Sequence, residues 1–212
     1  DEFNATVGCS ATGRSAVILM TLDNEPGIPA AEVQQLIENT VAWAANDESG
    51  GANVLVVLDD NHHGEDANDG MFVHDALIDA GLSADYLVEP VTGLDPGQLA
   101  DYELVWFVNP GYALDDTTTL TALMRYRFEG GALVLQGDDM ARFRGNPQFM
   151  EPLTYLSWQG NGTQACGVPT DNNEGESYTV SFENDTTQPH RMAQGLEGLS
   201  FAYGNDIDLS RP

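Results

Sequence analysis

Four runs of apolar residues, each about as long as one strand, set the limits on what this chain can fold into. They are Ser15-Ala-Val-Ile-Leu-Met-Thr21, Val54-Leu-Val-Val-Leu58, Leu104-Val-Trp-Phe-Val108 and Ala132-Leu-Val-Leu-Gln136. None alternates polar with apolar, so each must be covered on both faces, as strands of a parallel sheet are. The segments between them carry helical spacing. Over 30–45, Val33, Leu36, Ile37, Val41 and Ala44 share one face, and Pro29 stands near the start. A second helix is expected over 71–80, closed by Gly81. A third is expected over 116–128, opened by Asp115, Asp116 and Thr117 and stopped by Gly130-Gly131. A shorter strand fits 84–88. Strands alternating with helices at this spacing predict an α/β domain with a doubly wound, mostly parallel sheet and right-handed crossovers.

The 212 residues suit a single domain over 1–212 with a loop-rich C-terminal extension. Beyond Gly137, short helical turns are expected at 139–143 and 147–156, and strands at 177–182 and 199–203. The stretch 160–176 is rich in Gly, Asn, Asp and Thr and reads as a long surface loop.

Charge narrows the choice of partners. The chain has 34 Asp and Glu against 7 basic residues, all of them arginine, for a formal net charge of −27. Such a surface repels phosphate backbones and anionic lipid, so no nucleic acid is expected as a partner. No apolar run approaches the roughly 20 residues of a membrane span, so no membrane insertion is expected. The acidity has two readings. One is adaptation to salt, which screens self-repulsion; the other is that some carboxylates hold Ca²⁺, a hard cation that prefers oxygen. Both stay open.

The two cysteines, Cys9 and Cys166, lie in no CxxC or nucleophile motif. In an exported chain they would form one disulfide closing a long loop, worth roughly 4–5 kcal/mol on the chain-entropy model. In the cytosol they would be two small buried thiols. The chain opens at Asp1 without an initiator Met, as a mature or excised fragment does. The expectation is a secreted or cell-surface protein. Sequons at Asn4, Asn161 and Asn184 carry little weight in so polar a chain.

The run 54–58, the run Asp101-Tyr-Glu-Leu-Val-Trp-Phe-Val-Asn-Pro-Gly111 and the run Gly130-Gly-Ala-Leu-Val-Leu-Gln-Gly-Asp138 together resemble class I glutamine amidotransferase-like domains, including their trehalose-utilisation (ThuA-like) branch. Gln188-Pro-His-Arg-Met-Ala-Gln-Gly-Leu196, followed by Phe201-Ala-Tyr-Gly-Asn-Asp-Ile207, is similar to a segment of that branch. The resemblance implies a flavodoxin-like three-layer sandwich. Two departures accompany it. Gly13-Arg-Ser-Ala-Val-Ile-Leu-Met-Thr21 and Leu36-Ile-Glu-Asn-Thr-Val-Ala-Trp-Ala44 resemble the family's final strand and helix, yet here they come first, within 1–46. Either the domain is circularly permuted or the chain begins inside the tail of a preceding repeat. The family also places a cysteine nucleophile after the strand that 132–136 resembles, where this chain has Gly137-Asp138-Asp139. Glutaminase chemistry therefore does not carry over, and no catalytic residue is assigned.

Open α/β sheets bind ligands beyond the carboxyl ends of the strands, near the reversal in strand order. Loops 21–25, 59–69, 109–112 and 137–142 should meet there. The cleft candidates are Asp60, His62, His63, Glu65, Asn109, Tyr112, Asp138, Asp139 and Arg142. Asp59, Asp60, Asp66, Asp138 and Asp139 are candidate Ca²⁺ ligands, since crowded carboxylates need a cation or raise one another's pKa. A solvated acidic loop without ligand is the alternative. Zn²⁺ suits the site less, because His62 and His63 are adjacent, and EF-hand spacing is lacking. Asp171-Asn-Asn-Glu-Gly-Glu176 reads as a flexible acidic loop or a surface Ca²⁺ loop. Arg142 and Arg144 read as ion-pair partners or a carboxylate clamp. His74 reads as a packing or surface residue, His190 as a turn stabiliser, and Trp43, Trp106 and Trp158 as core or edge packing residues, an exposed Trp158 pointing instead to carbohydrate stacking.

Three functions fit these residues. The leading one is an extracellular, non-catalytic amidotransferase-like module for binding or structure, stabilised by Ca²⁺. The second is a ThuA-like hydrolase or sugar-processing enzyme using strand-end Asp, Glu or His as acid and base. The third is a self-assembling surface or filament subunit, with its sheet completed by a neighbouring chain. The small-molecule or glycan ligand, or cell-surface partner, is left open.

Overall fold

The computed structural model describes residues 14–18, 22, 30–47, 50–59, 67–109, 116–137, 153, 157–161, 178–181, 190–203 and 208–211. Their elements in chain order are β1 (Ser15–Ile18), α1 (Ala30–Ala44), β2 (Asn53–Leu58), α2 (Ala67–Asp79), β3 (Ser83–Val88), α3 (Pro96–Leu99), β4 (Leu104–Val108), α4 (Thr117–Phe128), β5 (Ala132–Gln136), β6 (Ser157–Asn161), β7 (Tyr178–Ser181), β8 (Ser200–Tyr203) and β9 (Asp208–Arg211). A 3₁₀ turn occupies Arg191–Ala193.

The first five strands form one sheet in the order β1-β5-β4-β2-β3, and every pairing is parallel. Counted with β1 last, that order is 2-1-3-4-5, the flavodoxin-like arrangement. The expected α/β sandwich is the fold, and its main sheet is wholly parallel rather than mostly so.

Which face each helix covers follows from the direction in which the chain moves across the sheet. From β1 to β2 to β3 it steps one way, and α1 and α2 lie on one face. From β3 to β4 to β5 it steps back, and α3 and α4 lie on the other. A right-handed crossover requires this switch of face. Strand alternation divides the core to match. Ile18, Val56, Leu58, Trp106, Val108 and Val134 pack with Val33 and Ile37 of α1 and Val73 and Leu77 of α2. Val57, Phe107 and Leu135 pack with Leu99 of α3 and Leu123 of α4. Trp43 and Trp106 are buried in this core, as expected.

Local chemistry sets the boundaries. Asp116 caps α4, accepting from the N–H groups of Thr118 and Thr119. Asp95 caps α3 in the same way through Gly97. Sequence spacing missed α3, which is a single turn of helix. It also began α2 at 71, four residues late, because the Ala-Asn-Asp-Gly start of that helix offers no apolar spacing to read.

The C-terminal part departs further from expectation. Residues 160 and 161 were expected to begin a long loop, yet they close β6, which pairs antiparallel with β9 across an irregular register between Trp158 and Gly160. Small and polar residues dominate these two strands, so neither shows an apolar run. β7 and β8 pair antiparallel where strands were expected. Cys9, Cys166, Asn184, the loop 162–176, the turn at 139–143 and most of 147–156 lie outside the described residues. Leu153, from that last segment, is fully buried, and its carbonyl accepts from Ser15 Oγ (3.2 Å) and Arg127 Nε (2.7 Å), joining β1 to α4.

Candidate functional site

Among the described residues nine polar or charged side chains are buried, and six of them stand at the carboxyl edge of the sheet. Asp59, Glu89 and Asn109 directly follow β2, β3 and β4, and Gln136 ends β5. Asp69 and Thr119 lie in the first turns of α2 and α4, and in parallel βα units helices begin where strands end. Burial of polar groups costs free energy unless they are paired, so this concentration at one edge marks the place where the fold departs from a plain apolar core.

The strand order reverses between β2 and β4. Asp59 extends the β2–β4 ladder by one residue, its N–H donating to the Val108 carbonyl (2.9 Å), and Asn109 extends the β4–β5 ladder, its N–H donating to the Gln136 carbonyl (2.8 Å). The Asn109 amide donates from Nδ2 to Asp59 Oδ2 at 2.9 Å, with both residues buried. Both also hold further interactions.

By strand alternation Asp59, Glu89 and Asn109 face α3 and α4. Contacts agree, because Thr119 Oγ1 of α4 donates to Glu89 Oε1. The same hydroxyl accepts from the Leu94 N–H at 3.0 Å and lies 2.9 Å from Asp116 Oδ2. Burial alone would raise the Asp116 pKa. Donation from the backbone N–H groups of Thr118 and Thr119 opposes it, and the carboxyl is held below its ordinary value.

Gln136 shares the opposite face with Val134 and Trp106. Its Oε1 accepts from Trp106 Nε1 at 2.8 Å, while its Nε2 is buried with no hydrogen-bond partner among the described residues. Leaving such a group unsatisfied costs about 1–3 kcal/mol. On the same face, three strands away on β3, burial raises the pKa of the Tyr86 hydroxyl and the charge of Asp69 adds to the effect.

Of the residues singled out in the sequence, the structure brings Asp59 and Asn109 together. Asp60, His62, His63, Glu65, Asp66, Tyr112, Asp138, Asp139, Arg142 and Arg144 lie outside the described residues, as do Asp171 to Glu176 and the Trp158 side chain. Among the described residues no group of three His, Cys, Asp or Glu is arranged to hold a metal ion. His74 packs edge-on against Tyr86 and contacts Asp75. His190 caps the 3₁₀ turn, its Nδ1 accepting from the Met192 N–H at 3.3 Å, and its ring lies tilted against Trp43, over which Arg14 also lies. Burial lowers the pKa of His190, and the Arg14 charge lowers it further.

Sequence reasoning missed Glu89, Gln136, Asp69 and Thr119. For the first two a signal existed: each is the first polar residue to close or follow a strand, as Asp59 and Asn109 are. Compared with known proteins, the chain matches no family model, no curated protein and no solved structure.

Proposed function

We propose that this chain is a non-catalytic binding module of amidotransferase-like ancestry, exported to the cell surface or beyond, with its ligand seated at the carboxyl edge of the sheet. The observation that carries the reading is the Asp59–Asn109 pair at the strand-order reversal. A carboxylate locked to an amide orients and binds polar groups; a nucleophile next to a base would be needed for acyl transfer. The sequence after β5 reads Gly137-Asp138-Asp139, with neither thiol nor hydroxyl, which supports the same reading. Calcium is the proposed stabilising ion, with Asp59, Asp60, Asp66, Asp138 and Asp139 as its proposed ligands, and it would account for part of the acidity.

Crystals soaked with amide and glycan compounds test the proposal. An intact compound against Asp59 and Asn109 is expected; a cleaved product at that edge contradicts it. Calorimetry of the chelator-treated chain with Ca²⁺ tests the cation separately. A saturating heat is expected, and a featureless titration removes calcium from the reading.

A second reading, self-assembly, draws support from β3. Among the described residues this strand pairs with β2 alone, so it stands at one edge of the sheet, where Val88 is exposed and the adjoining Val91 more so. Light scattering that shows monomers at high protein concentration would end it.

A further inference from the structure

We propose that Gln136 is the hydrogen-bond donor for an uncharged ligand oxygen (carbonyl, amide or hydroxyl) at the carboxyl end of β5. The inference rests on the reading of this edge as a binding site and names the group that does the binding. An indole N–H only donates, so Trp106 Nε1 fixes the Gln136 amide with Oε1 towards the ring. The amide cannot be flipped without setting two donors against each other. Nε2, with two N–H bonds, is therefore directed away from Trp106, and among the described residues nothing accepts from it.

The surroundings choose the class of ligand. In the strand register Gln136 stands level with Ile18 on one side and Val108 on the other, and Leu58 follows in the same row. All three are buried and apolar. One neutral donor among apolar side chains satisfies a neutral oxygen, but it does not offset the desolvation of a carboxylate or phosphate. The net charge of −27 further opposes an anion. A compound with one uncharged oxygen and a small apolar flank fits both the amide and the row beside it.

The full chain, labelled with ¹⁵N, is titrated with acetamide and separately with acetate, which has nearly the same shape but carries charge. Acetamide is expected to shift the Gln136 side-chain amide signals saturably, and acetate at equal concentration to leave them in place. In Gln136→Met the acetamide affinity falls about tenfold, the loss of one neutral hydrogen bond. Shifts at the Asp59 and Asn109 amides with none at Gln136 overturn the role of Gln136 and leave the carboxyl-edge site standing. A long-lived water on Nε2 that acetamide does not displace also overturns it, because water would then be the occupant. Acetamide shifting no signal at this edge counts against both the donor and the site. The wild-type titration decides these outcomes even if the variant fails to fold.

Discussion

The side chains of Asn109 and Asp59 meet at 2.9 Å across the two strands between which the order of the sheet reverses. Neighbouring parallel strands end side by side, so one polar residue beyond each end is enough to form this pair. The ladder bonds of both residues continue past the strands and fix the backbone beneath them.

If the pair acts as a unit, its two members are energetically coupled. Asn109→Leu, which removes a donor from a buried carboxylate, lowers stability by about 2 kcal/mol. A double-mutant cycle with Asp59→Leu returns a coupling energy of about 1–3 kcal/mol in urea denaturation. Additive effects would show that the contact is incidental.

The turn between β3 and α3 is pressed against the start of α4. Gly93 has φ +84°, and a Cβ there would lie 2.3 Å from Asp116 Oδ2 and 2.7 Å from Thr118 Cβ. Gly81 has φ +78° with nothing within 4 Å of the same position. Gly81→Ala carries the left-handed backbone cost alone, about 1–2 kcal/mol. Gly93→Ala adds a steric clash and costs at least about 2 kcal/mol more. Equal losses in thermal denaturation would contradict this packing.

His190 makes the docking of the 3₁₀ turn sensitive to acid. Neutral Nδ1 accepts the Met192 N–H, and Asn39 Nδ2 of α1 donates to the carbonyls of Met192 (3.2 Å) and Gln194 (2.8 Å). The folded pKa is lowered, so below about pH 6.5 the unfolded chain takes up the proton first. The stabilisation is complete above that pH and is lost as pH falls towards the folded value. The stability of wild type relative to His190→Leu should therefore shrink over this window, as read from denaturant midpoints at several pH values. A constant difference from pH 7 to 5 would refute it.

A chain with 34 acidic and 7 basic residues repels itself. Raising salt from 0.1 M to 1 M shortens the screening length from about 10 Å to about 3 Å. The melting temperature should rise with NaCl across this range; a flat or falling profile would show that the acidity costs the fold nothing.

The α/β architecture was legible because β2, β4 and β5 are apolar on both faces and Gly81, Asp116 and Gly130-Gly131 mark helix ends. The flavodoxin-like order was less legible, because it depends on β1, first in the chain, pairing with β5, and apolar runs do not say which strands are neighbours. Asp59 and Asn109 were found by the same logic, as polar residues directly beyond apolar runs. What sequence could not supply was pairing. The Trp106 bond to Gln136 joins two strands through side chains that composition treats as ordinary core and ordinary polar residue. Glu89 and Thr119 sit thirty residues apart and meet only because α4 lies on the face of the sheet towards which Glu89 alternates. β6 and β9 escaped because an antiparallel pair of short polar strands has no apolar pattern to detect.

The most direct test of a binding module without chemistry is ammonia release from L-glutamine by the purified chain, measured beside Asp59→Asn. Ammonia no faster than the buffer blank is predicted for both. Release by wild type that disappears in Asp59→Asn would place a working catalytic group at the carboxyl edge and contradict the account.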